Sequence, residues 1–542
     1  MSVVRSKLPD IPIPDDVRSF PRFMLQKFAE YGDEKALIDS ATGKSFTFSE
    51  LCTLIRKCGS VLVRRGAQIG DTMAVILPNM IEYPVVCYGA LSVGMRVTTL
   101  NPQYTVREMV PQLKDSQANY IITTPELIHQ VNQAAAKCSC VRRVFVLADT
   151  PGHQTLYDQI LNDDGSAFPS HVPVNWKQDV AYILYSSGTT GLPKGVLLTH
   201  YNLISAVVIL NNFWAMTSEQ TTEASKIIQV LIVPMFHVFG LAIMLGINIA
   251  IGVTMVCIRQ FDPVSFLEAI QKYKVTNISV VPPLLIFLAK HPSVLKYDLS
   301  SVKSVGCGAA PLGEEMMDAF MSRFPNVESN QGYGLTEFCV ALIGRKNLKK
   351  PASVGEVLPC SQVKVVDLKT GVAQPAGKQG EICIKGPLMM KGYLNNPEAT
   401  ANTIDHEGWL HTGDIGYYDD QEHFYIVGRV KELIKYKGFQ VPPAELEDLL
   451  QSHPDIADAA VIGVPDEEAG ELPKAFVVLK AGTLGTTPQD IIQFVSENIS
   501  PQKRLRGGVE IVDSIPKTPS GKILRRQLRE QEVEKRKMKH KL

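Results

Sequence analysis

The segment Ser186-Ser187-Gly188-Thr189-Thr190-Gly191-Leu192-Pro193-Lys194-Gly195 gathers hydroxyls, glycines and one lysine directly after an apolar, strand-like run, Ala181-Tyr182-Ile183-Leu184-Tyr185. Glycines let backbone N–H groups close on phosphate oxygens, Ser and Thr hydroxyls donate further hydrogen bonds, and the lysine adds a mobile positive charge. The segment therefore reads as a cradle for a triphosphate. It is not a Walker A loop, because Gly188 is followed by Gly191 and then Lys194-Gly195, and no Gly-Lys-Ser/Thr closes a four-residue spacer. Composition alone also fits a surface loop, so the reading depends on what the rest of the chain supplies.

Five further motifs follow in order: Gly308-Ala309-Ala310-Pro311-Leu312, Gln331-Gly332-Tyr333-Gly334-Leu335-Thr336-Glu337, Gly413-Asp414, Gly428-Arg429 and Pro519-Ser520-Gly521-Lys522. Together with the loop they resemble the acyl-adenylate-forming (AMP-binding) superfamily, in the branch of acyl-CoA synthetases, plant 4-coumarate:CoA ligases and beetle luciferases. The resemblance runs from Arg5-Ser6-Lys7-Leu8-Pro9-Asp10 to Gly521-Lys522-Ile523-Leu524-Arg525, nearly the whole chain. It implies a large N-terminal domain and a small, mobile C-terminal one with the active site between them. The implied activity is ATP-dependent activation of a carboxylic acid as acyl-AMP, followed by transfer to coenzyme A.

A carboxylate is a poor electrophile, and attack on the α-phosphate of ATP gives it AMP as a leaving group. Positioning and charge cancellation dominate such a step. Ser186, Ser187, Gly188, Thr189, Thr190, Gly191 and Lys194 suit the pyrophosphate side. The resemblance implies that Glu337 lies beside Mg²⁺, a helix-end acid being the plainer reading. Gly308, Ala309, Ala310 and Pro311 offer a thin backbone wall for adenine, Tyr333 a stacking face, and Asp414 an acceptor for both ribose hydroxyls. Gln331, Gly332, Gly334 and Thr336 belong to the same nucleotide set, and Arg429 adds a cation. Gly428 stands where many luciferases and 4-coumarate ligases carry Asp, a departure that bears on the stiffness of the adjoining linker.

A lone His amid apolar residues is usually a satisfied core residue, but His237, in Pro234-Met235-Phe236-His237-Val238-Phe239-Gly240, is implied by the resemblance to line the acid site and orient its carboxylate. Phe239, Gly308, Gly332 and Cys339 are candidates for the wall of that pocket. Lys522, otherwise an exposed tail lysine, is implied to reach the carboxylate and α-phosphate and offset their repulsion. Lys435, Lys437, Gly438 and Gln440 resemble the face that closes on the thiol after the small domain rotates, with Lys435 acting in that second step and Lys431 as the hinge.

The elements that must hold these residues read as α/β. Runs such as Thr72–Leu77, Tyr120–Thr123, Arg143–Leu147 and Asn277–Val281 alternate with amphipathic segments. From Val354 to Val427 short strands separated by Gly and Pro suggest a small β-rich subdomain. The expected division is 1–428 for adenylation, 429–434 for the hinge and 435–542 for a mobile α+β lid, a length of 542 residues exceeding one core.

Lys plus Arg equal Asp plus Glu at 55 each, which favours no nucleic-acid partner, and no obligate protein partner is evident. Only Lys522–Leu542 is asymmetric, with nine Lys/Arg against three Glu, and reads as a solvated helix with a frayed end. Ten cysteines lack metal spacing and read as reduced thiols. Ile227–Ile258 carries no Lys, Arg, Asp or Glu but is broken by Pro234, His237 and several glycines, so a loop, a buried helix and a core strand are expected instead of a membrane span. No signal-peptide core opens the chain, and His540-Lys541-Leu542 matches the Ser-Lys-Leu address at its last two residues, so the expected destination is cytoplasmic or peroxisomal. Two rivals accompany the ligase reading. One is a luciferase-like oxygenase, although Trp214–Phe236 holds no arginine of the kind luciferases set against luciferin. The other is an inactive nucleotide-binding scaffold, against which stand Lys194, Glu337, Asp414, Arg429, Lys435 and Lys522. The acid is expected to be hydrophobic, either 4-coumarate-like or a medium- or long-chain fatty acid.

Overall fold

Short β-branched runs pair into four sheets in the computed structural model, which describes residues 3–17, 19–147, 155–186, 193–217, 226–310, 312–345, 350, 352–437, 439–483, 485–518 and 521–539. In the first sheet Gly392–Tyr393, Lys194–Thr199, Val180–Ser186, Arg96–Thr99, Thr72–Val75, Tyr120–Thr123 and Arg143–Val146 lie side by side in that order. Thr72–Val75 and Tyr120–Thr123 are buried at every position, as befits parallel strands covered on both faces. Val180–Ser186 and Lys194–Thr199 form an antiparallel hairpin in which Ser186 faces Lys194, so the strand ahead of the candidate phosphate loop and the lysine behind it meet at its base.

The second sheet runs Glu356–Val357, Leu342–Ile343, Glu328–Tyr333, Ser304–Cys307, Asn277–Val280, Ile228–Leu231, Thr254–Cys257, Lys35–Asp39 and Ser45–Thr47. Ile228–Leu231 is parallel to Thr254–Cys257 on one side and to Asn277–Val280 on the other. The chain thus reverses direction across the sheet at Ile228–Leu231, and a crevice opens beyond the carboxyl ends of the strands at such a switch point. His237 and Gly308 follow strands of this sheet at that edge, and the Gln331–Glu337 motif runs off the end of Glu328–Tyr333.

The charge-free run folds as anticipated, giving the strand Ile228–Leu231, a buried π-helix Phe239–Asn248 and the strand Thr254–Cys257. Among the described residues no helix is long and apolar enough to cross a membrane. All ten cysteines are free, and burial pushes the Cys58, Cys307 and Cys339 thiols up to about 12.

The β-rich layer is antiparallel, in the order Val3–Arg5, Gln362–Val366, Gly380–Lys385, Leu410–Tyr418 and Phe424–Arg429. Its first strand comes from the N-terminus, with Val4 opposite Val363; three residues at an edge carry no readable alternation. After the turn Val430–Glu432 the fourth sheet begins, built of Ile434–Tyr436, Phe439–Val441, Ile456–Asp466, Gly470–Leu479 and Val509–Ile511. The tail helix Arg525–Lys539 is not simply solvated: Leu528 is 2% exposed and packs with Ala460, Ile462, Val464, Phe476 and Ile515. Leu528→Ala should therefore cost about 2–4 kcal/mol, seen as a lower denaturant midpoint in the C-terminal unit.

Candidate functional site

A cavity of about 1150 Å³ opens at the carboxyl edge of the second sheet and is closed from the other side by the C-terminal sheet and its helices. Ser186, Lys194, His237, Phe239, Gly308, Ala309, Ala310, Gln331, Gly332, Tyr333, Gly334, Thr336, Glu337, Cys339, Asp414, Arg429, Lys431 and Lys522 all line it. Ser187, Gly188, Thr189, Thr190, Gly191, Pro311, Gly438 and the side chain of Gln440 lie outside the described residues, as do Pro519 and Ser520.

Asp414 is the most constrained of these groups. Its Oδ2 accepts the Tyr333 hydroxyl at 2.6 Å and its Oδ1 accepts Arg429 Nε at 2.9 Å. Each oxygen keeps a further lone pair, enough for two vicinal hydroxyls. Burial pushes this carboxyl above its ordinary value, and the Arg429 and Lys522 charges and the Tyr333 hydroxyl oppose that rise. Arg429 is brought to it by the ladder, which sets Asp414 opposite Arg429 and Gly428 opposite Ile415. The glycine that replaces Asp in front of Arg429 leaves this pairing in place.

A β-bulge aims Asp414. Along Gly380–Lys385 the register slips between Glu381 and Cys383, which face Ile415 and His411, so three residues of Leu410–Tyr418 oppose one. Gly413 takes φ 70°, a conformation that side chains avoid. Glu381 holds the bulge with both oxygens: Oε1 accepts the Gly413 N–H at 2.9 Å and Oε2 meets His411 Nδ1 at 2.9 Å. His411 Nε2 lies 3.3 Å from Asp405 Oδ2. Bonds to Cys383 and Glu381 raise the imidazole to about 11, so it stands as an imidazolium between two carboxylates. Thr412 completes the turn, donating to the Ile382 carbonyl at 2.7 Å and accepting the Asp414 N–H at 3.0 Å. Neither His411 nor Glu381 announces this role by spacing, since their partnership exists only across the ladder.

A further cation comes from the C-terminal unit. Lys522 enters the cleft, where burial first and Arg429 second hold its ammonium below the ordinary value while Asp414, Glu337 and Glu432 act the other way. Its backbone is close to the large domain: a Cβ on Gly521 would lie 2.9 Å from Pro283 Cδ. His237 feels the Lys522 charge in addition to burial and is lowered to about 4, so the ring is neutral near pH 7. The tight turn that presents it needs Gly240, where a Cβ would fall 2.2 Å from the Pro234 carbonyl oxygen. Arg525 ties the Lys522 arm to the linker, bonding Glu432 at 2.8 Å and Glu447 at 2.6 Å.

Glu337 Oε1 accepts hydroxyls from Ser186 and Tyr393, both at 2.9 Å, and Lys194 Nζ sits 4.8 Å over the Tyr393 ring. One carboxylate among hydroxyls is a hard-oxygen set that suits Mg²⁺ held jointly with phosphates. Among the described residues three metal-ligating side chains cluster instead at Glu381, Cys383 and His411, the ion pair of the bulge. Lys435 and Lys437 are exposed on the hairpin Ile434–Tyr436/Phe439–Val441 and do not line the cavity. The cavity thus gathers Lys194, Arg429 and Lys522 with Asp414 and Glu337, while Lys435 and Lys437 stand outside it.

A family model described as AMP-binding enzyme matches residues 25–394, and one described as AMP-binding enzyme C-terminal domain matches residues 445–522. The chain is 45% identical over 533 residues to 4-coumarate–CoA ligase 1 of Petroselinum crispum, covering 97% of this chain and 96% of the relative. ATP-bound MatB from Rhodopseudomonas palustris superposes with a TM-score of 0.84 at 27% identity, covering 94% of this chain and 98% of that one. Apo MatB gives 0.75 at 26% identity over the same shares.

His411→Gln should weaken ATP binding roughly tenfold, the loss of about one charge-assisted hydrogen bond's support, read by calorimetry. Its raised pKa, about 11 against 6.5, means that the folded chain keeps a proton the unfolded chain releases. The stabilisation is full below about pH 6.5 and fades as pH rises towards 11. Thermal melts should accordingly fall less steeply on the alkaline side in the variant than in the parent.

Proposed function

Because this chain belongs to the AMP-binding enzyme family, we propose that it is an ATP-dependent carboxylic acid:CoA ligase that works through an enzyme-bound acyl-AMP. The observation that carries the reading is the convergence of Lys522, Arg429 and Lys194 with Asp414 and Glu337 on one cavity at the switch point.

In the first half-reaction a carboxylate oxygen of the acid attacks the α-phosphorus of ATP, the bond to the pyrophosphate oxygen breaks, and acyl-AMP forms. Asp414 holds the ribose hydroxyls in this reading, and the walls at Gly308–Ala310 and Tyr333 hold the base. Lys522 sets its ammonium between carboxylate and α-phosphate, where attraction to both offsets their repulsion in a poorly solvated cleft. His237, neutral near pH 7, donates to the carboxylate and fixes its approach. Ser186 and Lys194 take the pyrophosphate side. Glu337 would hold Mg²⁺ together with the phosphates, and the ion when bound neutralises charge on the leaving pyrophosphate.

In the second half-reaction the coenzyme A sulfur attacks the acyl carbon and AMP leaves. Lys435, Lys437, Gly438 and Gln440 belong to that step, after the unit 435–542 turns on 429–434 about Lys431 against 1–428. The exposure of the Lys435 hairpin while Lys522 occupies the cleft supports two alternate placements of one small domain.

The reading is tested by mass spectrometry of AMP and acyl-CoA after mixing the protein with ATP, Mg²⁺, coenzyme A and a panel of acids. AMP without thioester would point to an oxidising or adenylating enzyme, and neither product to a scaffold. Lys522→Ala should lower acid-dependent pyrophosphate release by about 10²–10³ with ATP affinity little changed; normal release would remove the lysine from the chemistry. Lys431→Pro should leave acid-dependent pyrophosphate release in place and slow thioester formation by about tenfold or more, and equal loss of both would rule out the hinge.

A further inference from the structure

We propose that Gly313 is the seat on which the C-terminal unit docks to bring Lys522 into the cleft, and that Asp448, pressed against that seat, keeps this placement easy to leave. The proposal rests on the ligase reading and specifies what sets the balance between its two placements.

The helix Pro443–Ser452 meets the cavity with Ala444, Asp448 and Gln451, positions that share one face of a helix. Opposite them stands the start of the helix Glu314–Arg323, whose N-cap is Gly313. The approach leaves no room for a side chain on that glycine. A Cβ there would fall 1.4 Å from Asp448 Oδ1, 2.4 Å from its Cγ and 2.9 Å from its Oδ2, so the three nearest atoms all belong to one carboxylate of the other unit. Turning the carboxylate about its Cβ–Cγ bond does not move Cγ out of the way. Gly313 itself has φ −69°, which any residue adopts. The glycine therefore answers the approach of Asp448 and no demand of its own backbone.

The seam is held against its charges. Among the described residues no hydrogen bond or ion pair reaches the half-buried Asp448 carboxylate, and burial, Glu315 and Glu314 all push it above its ordinary value. Across the same junction Lys290 is held below its ordinary value by burial and by Lys480 of the C-terminal unit, with Glu315 acting the other way. Like charges thus face each other twice between the units, an acid against two acids and a lysine against a lysine. The middle of the cleft works in the opposite sense, because the Lys522 ammonium, which burial and Arg429 disfavour, is drawn by Asp414 and Glu337 of the large domain. Docking is drawn from the centre and resisted at the rim, and each weak repulsion at the rim shifts a two-state balance about threefold.

The test reads the placement through Lys522, as the rate at which an amine-acetylating reagent modifies it in the full-length protein, followed by mass spectrometry. Acid-dependent pyrophosphate release, and thioester formation from acyl-AMP supplied ready-made, are measured alongside. Gly313→Ala should raise Lys522 labelling and lower pyrophosphate release, each about fivefold, while thioester formation from acyl-AMP is kept. Adding Asp448→Ala should restore both, since removing the carboxylate vacates the space that the new methyl needs. Damage confined to the helix Glu314–Arg323 would not be repaired by a substitution in the other unit. Asp448→Ala alone should slow Lys522 labelling about threefold and slow thioester formation by a like factor. Unchanged labelling in Gly313→Ala, a loss that Asp448→Ala does not restore, or faster labelling in Asp448→Ala alone overturns the proposal. The labelling needs no substrate, so it decides the seat even where no acid yields AMP, the result that would overturn the ligase reading.

Discussion

A carboxylate removed from water must be held by donors that outlast ligand exchange, and Asp414 is the group on which this cleft is organised. It is 4% exposed and is gripped by Tyr333 from one strand and Arg429 from another. Tyr333 comes from the second sheet, while Arg429 is the last residue of the antiparallel one. The Tyr333 bond therefore fastens two layers together, while the Arg429 bond lies within the antiparallel sheet. Without Arg429 the buried charge would keep the Tyr333 hydroxyl as its direct partner and only the more distant Lys522 charge, a costly state for a carboxylate out of water.

Around this anchor the cleft distributes charge by reach. Arg429 is fixed by the ladder, Lys194 by the base of a hairpin, and Lys522 by a loop of the small domain tied through Arg525 to Glu432 in the linker. Only the last can be withdrawn by a rigid rotation, because its support travels with the small domain. In the proposed cycle the same arm would bring an ammonium to the reacting groups and remove it when the domain turns, so that one cavity would serve both a step requiring a cation between anions and a step requiring room for a thiol.

Much of this was legible in the residues. The hydroxyl-rich loop, the order of the later motifs, the α/β alternation and the charge-free run at Ile227–Ile258 each report local chemistry or local periodicity, and the strands Tyr120–Thr123 and Asn277–Val280 stand where their β-branched patterns put them. The strand Val3–Arg5 was hidden because an edge strand of three residues has no pattern of its own, and the packed face of the tail helix because one Leu528 among charges gives no apolar stripe.

What the sequence determined by itself was the kind of chemistry and the class of fold, since both follow from residue type at short spacing. Only the tertiary structure decided how the groups meet: the bulge that turns Asp414 inward, the imidazolium of His411 that braces it, the hydroxyl of Tyr393 on Glu337, and the cavity that the π-helix and the second sheet line together. The physical reason is range. Hydrogen bonds, burial and cavities join atoms that are near in space but far apart along the chain, and no spacing rule within the sequence encodes that distance.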